Sequence, residues 1–539
     1  MSASLIGIVA LALVAGVIVV VVAGLRRKDK VEKTGGADLI PYLLLVVAVA
    51  TAGFTLAALA RASLAPDRLA GRPTSEIAGA LAGLVVSAPI AFLLWRRQAR
   101  RRRSFPEAEG WPVYLALVEL AFLTAFFFSV SDLATDLAGS EPISDWTDLV
   151  VYGGLAAFHW WVGRNEPAQG QAGELPRLVG SGVALIAMAF GLTGTLTWLL
   201  SVVYSQIWGV IRVPEVAMPL ALLITAAPIW AYRWLPAWDG QPGTLRRFYL
   251  GLATTVFLTG SIGAVVTIVG TTLGSLLGET RPVAESFDHI PAALATLGGA
   301  GVLWWHHNLR LGPGRTPARR GHEYAMAAIG LATLVGSSAA LVDAAFTPTL
   351  AGTNRAGTLI TLATVVIAAG WVWLASWRRA QAAPRDDEVS SLPRRFYLIG
   401  MAIALGLTAA GSLIAVLVIL FRAVLGEVPA TASSLRVPVT LTLVAGLATW
   451  HLIDQLRSDL AGMVGAQVKP YTVTIICSHP GNVTTLFPPE ATLRFIYRAD
   501  DAGVIDDEMA PAIVSAVDGT SSLVWVDGDG FRTTTARQP

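Results

Sequence analysis

Hydrophobic stretches recur along the chain in pairs, at a spacing of about 70 residues, and such a spacing indicates a duplicated structural unit. In five units the first stretch opens on a tyrosine, and in all six the second closes on a tryptophan. The tyrosine openings are Ile40-Pro41-Tyr42, Pro112-Val113-Tyr114, Arg247-Phe248-Tyr249, His322-Glu323-Tyr324 and Arg395-Phe396-Tyr397; the closing tryptophans are Trp95, Trp160, Trp230, Trp305, Trp373 and Trp450. Many stretches approach the roughly 20 apolar residues that cross a bilayer, so the pattern predicts an all-α polytopic membrane protein.

Composition supports this class. The 539 residues are 54% hydrophobic and only 14% charged, against roughly 25% charged in soluble domains. The single cysteine, Cys477, excludes an intramolecular disulfide and a site with several cysteine ligands. Arginine, alanine and glycine are abundant and lysine is scarce, which we interpret as the bias of a GC-rich bacterial genome.

The hydropathy pattern predicts about 13 spans, one N-terminal helix followed by six pairs. The spans are Leu5–Leu25, Pro41–Ala60, Glu76–Trp95, Trp111–Ser131, Ile143–Trp161, Leu178–Tyr204, Pro214–Tyr232, Arg247–Gly278, Ile290–Trp305, Tyr324–Phe346, Arg355–Trp373, Phe396–Gly426 and Val437–Leu452. The predicted domains are residues 1–36 (first helix and basic stop), residues 37–459 (units 37–105, 106–172, 173–240, 241–318, 319–388 and 389–459), a linker at 460–468 and a soluble domain at 469–539.

Charge distribution predicts the orientation. Basic residues concentrate in alternate loops, including the run Arg96, Arg97 and Arg100 to Arg103. By the positive-inside rule, the N-terminus lies outside and the C-terminal domain in the cytosol, in a bacterial plasma membrane.

The C-terminal segment changes character. Alternating stretches predict strands at Tyr471–Cys477, Ala491–Tyr497 and Ser522–Val526, a helix at Asp506–Val517, and a hairpin turn at Asp527–Gly530. This is a small soluble α+β domain with nine acidic and five basic residues. Its net acidity favours a basic protein partner or a position away from anionic lipid.

The openings Arg246-Arg247-Phe248-Tyr249-Leu250 and Arg394-Arg395-Phe396-Tyr397-Leu398 resemble those of a bacterial multi-pass membrane family. That family is known only as a domain of unknown function, built from tandem two-helix units. The resemblance extends over roughly residues 37–459, and the third unit lacks the tyrosine. It implies an architecture but supplies no catalytic residues.

Two acids lie within predicted spans. Glu119 lies near the bilayer middle, where an unpaired carboxylate costs several kcal/mol, so it is protonated, paired or hydrated. A functional acid and a structural one that bonds to Thr195 or Thr197 are both open, and no deep base is evident nearby. Asp343 lies shallower, near the outer end of its helix.

Histidines and tryptophans lie together at the predicted cytosolic ends. The candidate interface or ligand histidines are His159, His306, His307 and His451, and the aromatic belt comprises Trp95, Trp160, Trp161, Trp230, Trp304, Trp305, Trp373 and Trp450. An interfacial belt is the favoured interpretation, and ligation of haem or a metal, or quinone stacking, is the alternative.

Catalytic motifs do not stand out. Cys477-Ser478-His479 is a weak nucleophile pattern, and Asp527-Gly528-Asp529-Gly530 lacks the downstream glutamate of a calcium loop. We therefore assign no catalytic residue, metal, cofactor or nucleic-acid partner. The partners expected are the lipid bilayer and a protein bound by residues 469–539. The leading hypothesis is a non-enzymatic membrane scaffold or signalling subunit. The alternatives are a transporter or channel that uses Glu119, and a haem- or quinone-binding redox protein.

Overall fold

A computed structural model gives the structure of most of the chain beyond residue 38. It describes residues 39–64, 74–104, 110–139, 146–165, 171–208, 215–235, 243–277, 287–312, 314–347, 355–382, 388–389, 391–426, 431–465, 471–487, 491–499, 503–517, 522–527 and 530–535. The predicted first helix, Leu5–Leu25, lies outside these residues.

Twelve long helices occupy the described part of the chain up to residue 465. They are α1 (Ile40–Leu64), α2 (Thr74–Ser104), α3 (Gly110–Ala138), α4 (Trp146–Asn165), α5 (Leu175–Trp208), α6 (Ala217–Trp234), α7 (Thr244–Leu276), α8 (Ile290–Leu311), α9 (Pro317–Phe346), α10 (Arg355–Gln381), α11 (Leu392–Val424) and α12 (Ala432–Gly465). A short 3-10 turn, Gln171–Glu174, precedes α5.

Nine of these helices are long and apolar enough to cross a membrane, in the part of the chain that the structure describes. The remaining three, α4, α6 and α8, each carry charged or imidazole side chains near an end. Asp148 lies in the first turn of α4, Arg233 lies in the last turn of α6, and His306 and His307 lie in the last two turns of α8. The expected count of 13 spans is therefore not supported, because these polar ends lower the hydropathy of three short helices.

Five of the six predicted pairs are neighbours in space: α1 contacts α2, α3 contacts α4, α5 contacts α6, α7 contacts α8, and α9 contacts α10. Helix α3 is the central element, since it also contacts α1, α5 and α6. Of its most apolar window, 72% is buried, against 6% for α11.

Large apolar side chains cover the outer surface of the helices. On α11 they include Ile403, Leu407 and Ile414, which are all exposed. Apolar surface of this extent is unfavourable in water and suits the hydrocarbon of a bilayer. The two longest predicted spans, α7 and α11, are each 33 residues long, which exceeds the roughly 20 residues a bilayer needs.

The described residues fall into two compact units. The first reaches Glu388 and includes Leu392–Thr449, and the second comprises Val389–Ser391 and the chain from Trp450 onward. Helix α12 continues to Gly465, through most of the segment predicted as a linker.

The second unit contains a four-stranded sheet. Its elements are β1 (Tyr471–Cys477), α13 (Val483–Leu486), β2 (Ala491–Tyr497), α14 (Met509–Val517), β3 (Ser522–Asp527) and β4 (Gly530–Thr535). The strand order is β2-β1-β3-β4, and β1 pairs in parallel with both β2 and β3. The strands lie where the alternation predicts them. The largely parallel pairing differs from the antiparallel sheet typical of the predicted α+β class.

Local signals account for the ends of these elements. The Asp506 carboxylate accepts hydrogen bonds from the backbone N–H of Glu508 (3.2 Å) and Met509 (2.7 Å), so the predicted helix start at Asp506 is the cap and α14 follows it. Strands β3 and β4 form an antiparallel hairpin with Asp527 opposite Gly530, as the turn signal predicts.

Candidate functional site

A buried ion pair joins α3 to α6. The Glu119 carboxylate is in direct contact with the guanidinium of Arg233, and both residues are under one-tenth exposed. Of the three states left open for Glu119, the structure has the paired one: Arg233 lies one residue before the end of α6, and its side chain reaches the acid. Thr195 and Thr197 do not bond Glu119; their hydroxyls donate to the backbone carbonyls of Gly191 and Thr193.

Gly180 of α5 makes room for this pair. A Cβ atom there would overlap the Arg233 guanidinium and would lie 3.0 Å from the Glu119 carboxyl carbon. The third helix at the site therefore needs a residue without a side chain at this position.

Three helix ends surround the ion pair with further charge. The Arg177 Nε–H donates to the Arg233 backbone carbonyl at 2.6 Å, and Arg246 pairs with Glu174 at 2.8 Å. Residues 174–177 begin α5, residue 233 is near the end of α6 and residue 246 is in the first turn of α7. Alternating helix directions bring these three ends to the same side of the bundle, so the sequence places the charges together.

A small cavity of about 30 Å³ lies at this junction. It is lined by Glu174, Arg177, Leu178, Ser181, Arg233, Trp234 and Arg246. Such a volume accommodates one or two water molecules or a comparably small polar group. The cavity and the ion pair form the candidate site of the first unit.

In the second predicted repeat (residues 106–172), the rings of Tyr114, Phe122 and His159 pack together in one cluster. The Tyr114 hydroxyl bonds His159 Nε2 at 3.0 Å, and His159 Nδ1 bonds the Leu155 carbonyl at 2.8 Å. Because the Nδ1–H donates to a carbonyl, Nε2 is the acceptor and the tyrosine is the donor. Phe122 packs on the imidazole with ring centroids 5.6 Å apart.

The fourth predicted repeat (residues 241–318) contains nearly the same arrangement of rings. Tyr249 and Phe257 flank His307 at 6.1 and 5.8 Å between centroids, and His307 Nδ1 bonds the Leu303 carbonyl at 2.7 Å. One contact differs, since the Tyr249 hydroxyl and His307 Nε2 have no hydrogen-bond partner among the described residues. Tyrosine and phenylalanine are eight residues apart in both clusters, a spacing that the sequence shows and that marks these positions as equivalent.

The remaining candidate residues lie apart. Asp343 is half-buried near the end of α9, His306 packs edge-on against Trp230 at 5.4 Å, and His451 lies on α12 in the second unit. The structure describes no group of three or more His, Cys, Asp or Glu side chains placed to hold a metal ion.

The tryptophans divide into two sets. Trp161, Trp305 and Trp450 are more than half exposed, as a belt at the membrane interface requires. The half-buried set packs against other helices and comprises Trp95, Trp160, Trp230, Trp304 and Trp373. Trp95 packs against Tyr114 and His159, and the Trp373 Nε1–H donates to the Tyr397 hydroxyl at 3.2 Å.

Glu388, at the end of the fifth predicted repeat (residues 319–388), is a second buried carboxylate. It was not identified from the sequence. Glu388 is 1% exposed and pairs with Arg315 (2.9 Å) and Arg320 (3.3 Å). It also accepts a hydrogen bond from Tyr324 at 2.8 Å. One feature of the sequence could have indicated it. Tyr324 is one of the recurring tyrosines at the start of a repeat, and a buried tyrosine hydroxyl requires a hydrogen-bond partner such as this carboxylate.

In the C-terminal compact unit, one face of the β-sheet is covered by helix α14 and the other face is open. The covered face packs Val473, Ile475 and Val524 against Ile513 of α14. Cys477 points into this core and is fully buried, and burial raises the pKa of its thiol. His479 instead contacts the backbone, with Gly481 N–H 3.4 Å from its Nδ1, so the Cys477-Ser478-His479 sequence does not form a nucleophile–base pair.

The open face presents apolar and arginine side chains. By register, it carries Thr472, Thr474, Ile476, Thr492, Arg494, Ile496, Leu523, Trp525, Asp527, Arg532 and Thr534. Trp525 is 43% exposed and is held in place, since its Nε1–H donates to Asp527 at 2.7 Å and Arg498 lies over its ring. Hydrogen bonds from Arg498 and Trp525 lower the pKa of Asp527, which keeps this carboxylate ionised.

Comparison with known proteins gives one match. A family model described as a domain of unknown function, DUF5671, matches residues 320–447, which cover most of the chain from α9 into α12. The predicted resemblance to a domain of unknown function is confirmed for this part, and the match assigns no activity. No curated protein and no solved structure matches the chain.

Proposed function

We propose that this helical protein is a membrane scaffold whose C-terminal unit binds an acidic segment of a partner protein. The observation that carries the proposal is the open sheet face, where Trp525 and Leu523 are exposed beside Arg494 and Arg532. We further propose a bacterial plasma membrane location, with the N-terminus outside and this unit in the cytosol, on the distribution of basic residues.

The composition of the open face supports protein binding. An exposed tryptophan fixed by two polar contacts offers a large contact area at little cost in side-chain entropy, and tryptophan and arginine dominate binding hot spots. Ile496, 46% exposed, and Ile476 extend the apolar area across β1 and β2.

The charge of this face identifies the partner's chemistry. Although the unit is acidic overall, the open face carries two arginines, Arg494 and Arg532, and one carboxylate, Asp527, which is already paired with Arg498 at 2.5 Å. The acids Asp506, Asp507 and Glu508 precede α14. The net acidity led us to expect a basic partner, whereas the local charge favours an acidic one, because complementarity acts at the contact surface.

The first unit supports the role of an anchor. Its buried charges are paired across different helices: Glu119 of α3 with Arg233 of α6, and Glu388 with Arg320 of α9. Buried pairs of this kind fix the relative placement of helices, and removal of one partner is strongly destabilising.

Native mass spectrometry of the protein, purified gently from its own membranes, tests the proposal. A stoichiometric partner should be retained by the full chain and lost on deletion of residues 469–539. The double charge reversal Arg494→Glu with Arg532→Glu should release the same partner. Arg457→Glu, an exposed arginine on α12, is the matched control and should retain it. A chain that carries no protein partner, or a partner retained by the double reversal, contradicts the proposal.

The transport alternative assigns Glu119 a coupling or gating role. Its contact with Arg233 favours a structural role instead, because the carboxylate is already engaged by a buried guanidinium of another helix. If Glu119→Gln abolishes flux in vesicles while the folded protein remains, the transport alternative replaces the scaffold. An absorbance spectrum of the purified protein tests the haem or quinone alternative in the same preparation.

A further inference from the structure

We propose that the cavity between the ends of α5, α6 and α7 binds a phosphate group. Three arginines line it: Arg177, Arg233 and Arg246. Arginine provides planar, charged N–H donors that match phosphate oxygens. The site is separate from the open sheet face and does not depend on the scaffold proposal.

The charges around the cavity leave an excess of positive charge. Glu119 pairs with Arg233, and Glu174 pairs with Arg246. Arg177 uses its Nε–H for the Arg233 carbonyl, and its terminal N–H groups donate no hydrogen bond to the described residues. Among the described residues around the cavity, three guanidiniums therefore face two carboxylates, and Arg177, which is exposed, shares Glu174 with Arg246. An anion at the cavity would balance the remaining positive charge.

Neutral donors in the same place also lack acceptors. The Ser181 hydroxyl lines the cavity, is 1% exposed and has no hydrogen-bond partner among the described residues. Beside it lie the Tyr249 hydroxyl and the Trp230 indole N–H; both Ser181 and Trp230 are close to the Tyr249 hydroxyl, but none of the three makes a hydrogen bond of proper geometry to a described residue. Buried donors without well-formed acceptors are energetically unfavourable. A phosphate oxygen at the cavity would satisfy Ser181 directly.

Position in the bundle indicates two sources for the phosphate. The cavity lies where α5 begins and α6 ends, which is headgroup depth if these helices span the bilayer. A lipid headgroup phosphate and free inorganic phosphate present the same tetrahedral oxygens. The cavity has room for about one or two water molecules, so one phosphate oxygen enters it while the rest of the phosphate group, and any lipid glycerol and chains, remain outside.

The test uses the full-length protein, delipidated in a neutral detergent, and measures thermal unfolding together with native mass spectrometry. One arm adds inorganic phosphate, with potassium chloride at equal ionic strength as the reference. The other adds short-chain phosphatidylglycerol, with a short-chain diacylglycerol of the same acyl length as the reference. Stabilisation above the reference in either arm, with a bound adduct of matching mass, is the expected result and names the source.

Variants locate the site. Arg177→Gln should weaken binding at least tenfold, and Ser181→Ala should weaken it several-fold without removing a charge. Arg247→Gln is the matched control, because it removes the same charge one residue from Arg246 but does not line the cavity. Two results would overturn the proposal: no stabilisation in either arm, or equal binding by the Arg177→Gln and Arg247→Gln proteins.

Discussion

Gly180 lies directly against the Arg233 guanidinium, with no space for a side chain between them. The glycine is on α5, the arginine is on α6 and the paired Glu119 is on α3, so one missing methyl group allows three helices to meet around a buried ion pair. This contact makes the centre of the bundle sensitive to small changes.

Substitution of Gly180 by alanine should destabilise the protein by about 1–3 kcal/mol, the usual cost of overpacking. The added Cβ would lie 2.9 Å from Arg233 Cζ, and the guanidinium would have to move away from Glu119. Gly182→Ala is the matched control, since its Cβ would meet only the Tyr249 ring at 3.7 Å. Thermal unfolding in mild detergent compares the two variants. Equal unfolding temperatures would show that Gly180 does not make room for the pair.

Loss of one partner of the Glu119–Arg233 pair should cost about 3–5 kcal/mol, because the other charge stays buried without compensation. Glu119→Gln and Arg233→Gln should each lower the unfolding temperature strongly. The double variant should cost less than the sum of the two single changes. Strict additivity in this double-mutant cycle would show that the two side chains do not interact.

Tyr114→Phe should destabilise the protein by about 1–3 kcal/mol, because it leaves the buried His159 Nε2 without a donor. Tyr249→Phe removes an equivalent hydroxyl that makes no bond to His307. Its effect should be smaller, and the difference between the two unfolding temperatures is the measurement. A larger loss for Tyr249→Phe would contradict the assigned hydrogen bonds.

The Cys477 thiol should react slowly with iodoacetamide in the folded protein. It is fully buried, and burial raises the pKa of the thiol, so the reactive thiolate is scarce at pH 8. Mass spectrometry should detect rapid alkylation only after denaturation. Fast alkylation of the native protein at pH 8 would show that the sheet core around Cys477 is open.

Hydropathy and alternation predict the elements of this fold well but not how they meet. The long helices and the strands Tyr471–Cys477 and Ala491–Tyr497 follow from local periodicity. The parallel pairing of β1 with β2 and β3 does not, because it depends on contacts across the intervening chain. The hydropathy of α4, α6 and α8 falls below that of a membrane span. These helices carry polar side chains near one end, such as His307, that are buried against other helices.

The sequence likewise indicates only part of the candidate site around Glu119 and Arg233. Glu119 stands out in the sequence because a carboxylate within an apolar run is costly. Its partner Arg233 does not, since an arginine at a helix end resembles any cytosolic interface residue and lies 114 positions away. Net charge favours a basic partner, whereas the proposed binding face carries Arg494 and Arg532 and a single carboxylate, Asp527, that is paired with Arg498.

Site-specific photo-cross-linking in living cells tests the central claim most directly. A benzophenone amino acid at position 523 lies on the open sheet face, and the same group at position 515 lies on α14 of the opposite layer. The account predicts one adduct of discrete mass from position 523 only, through an acidic peptide of the partner, and its loss with Arg494→Glu and Arg532→Glu. Equal adducts from both positions, or an adduct at position 523 that survives the charge reversal, would contradict it.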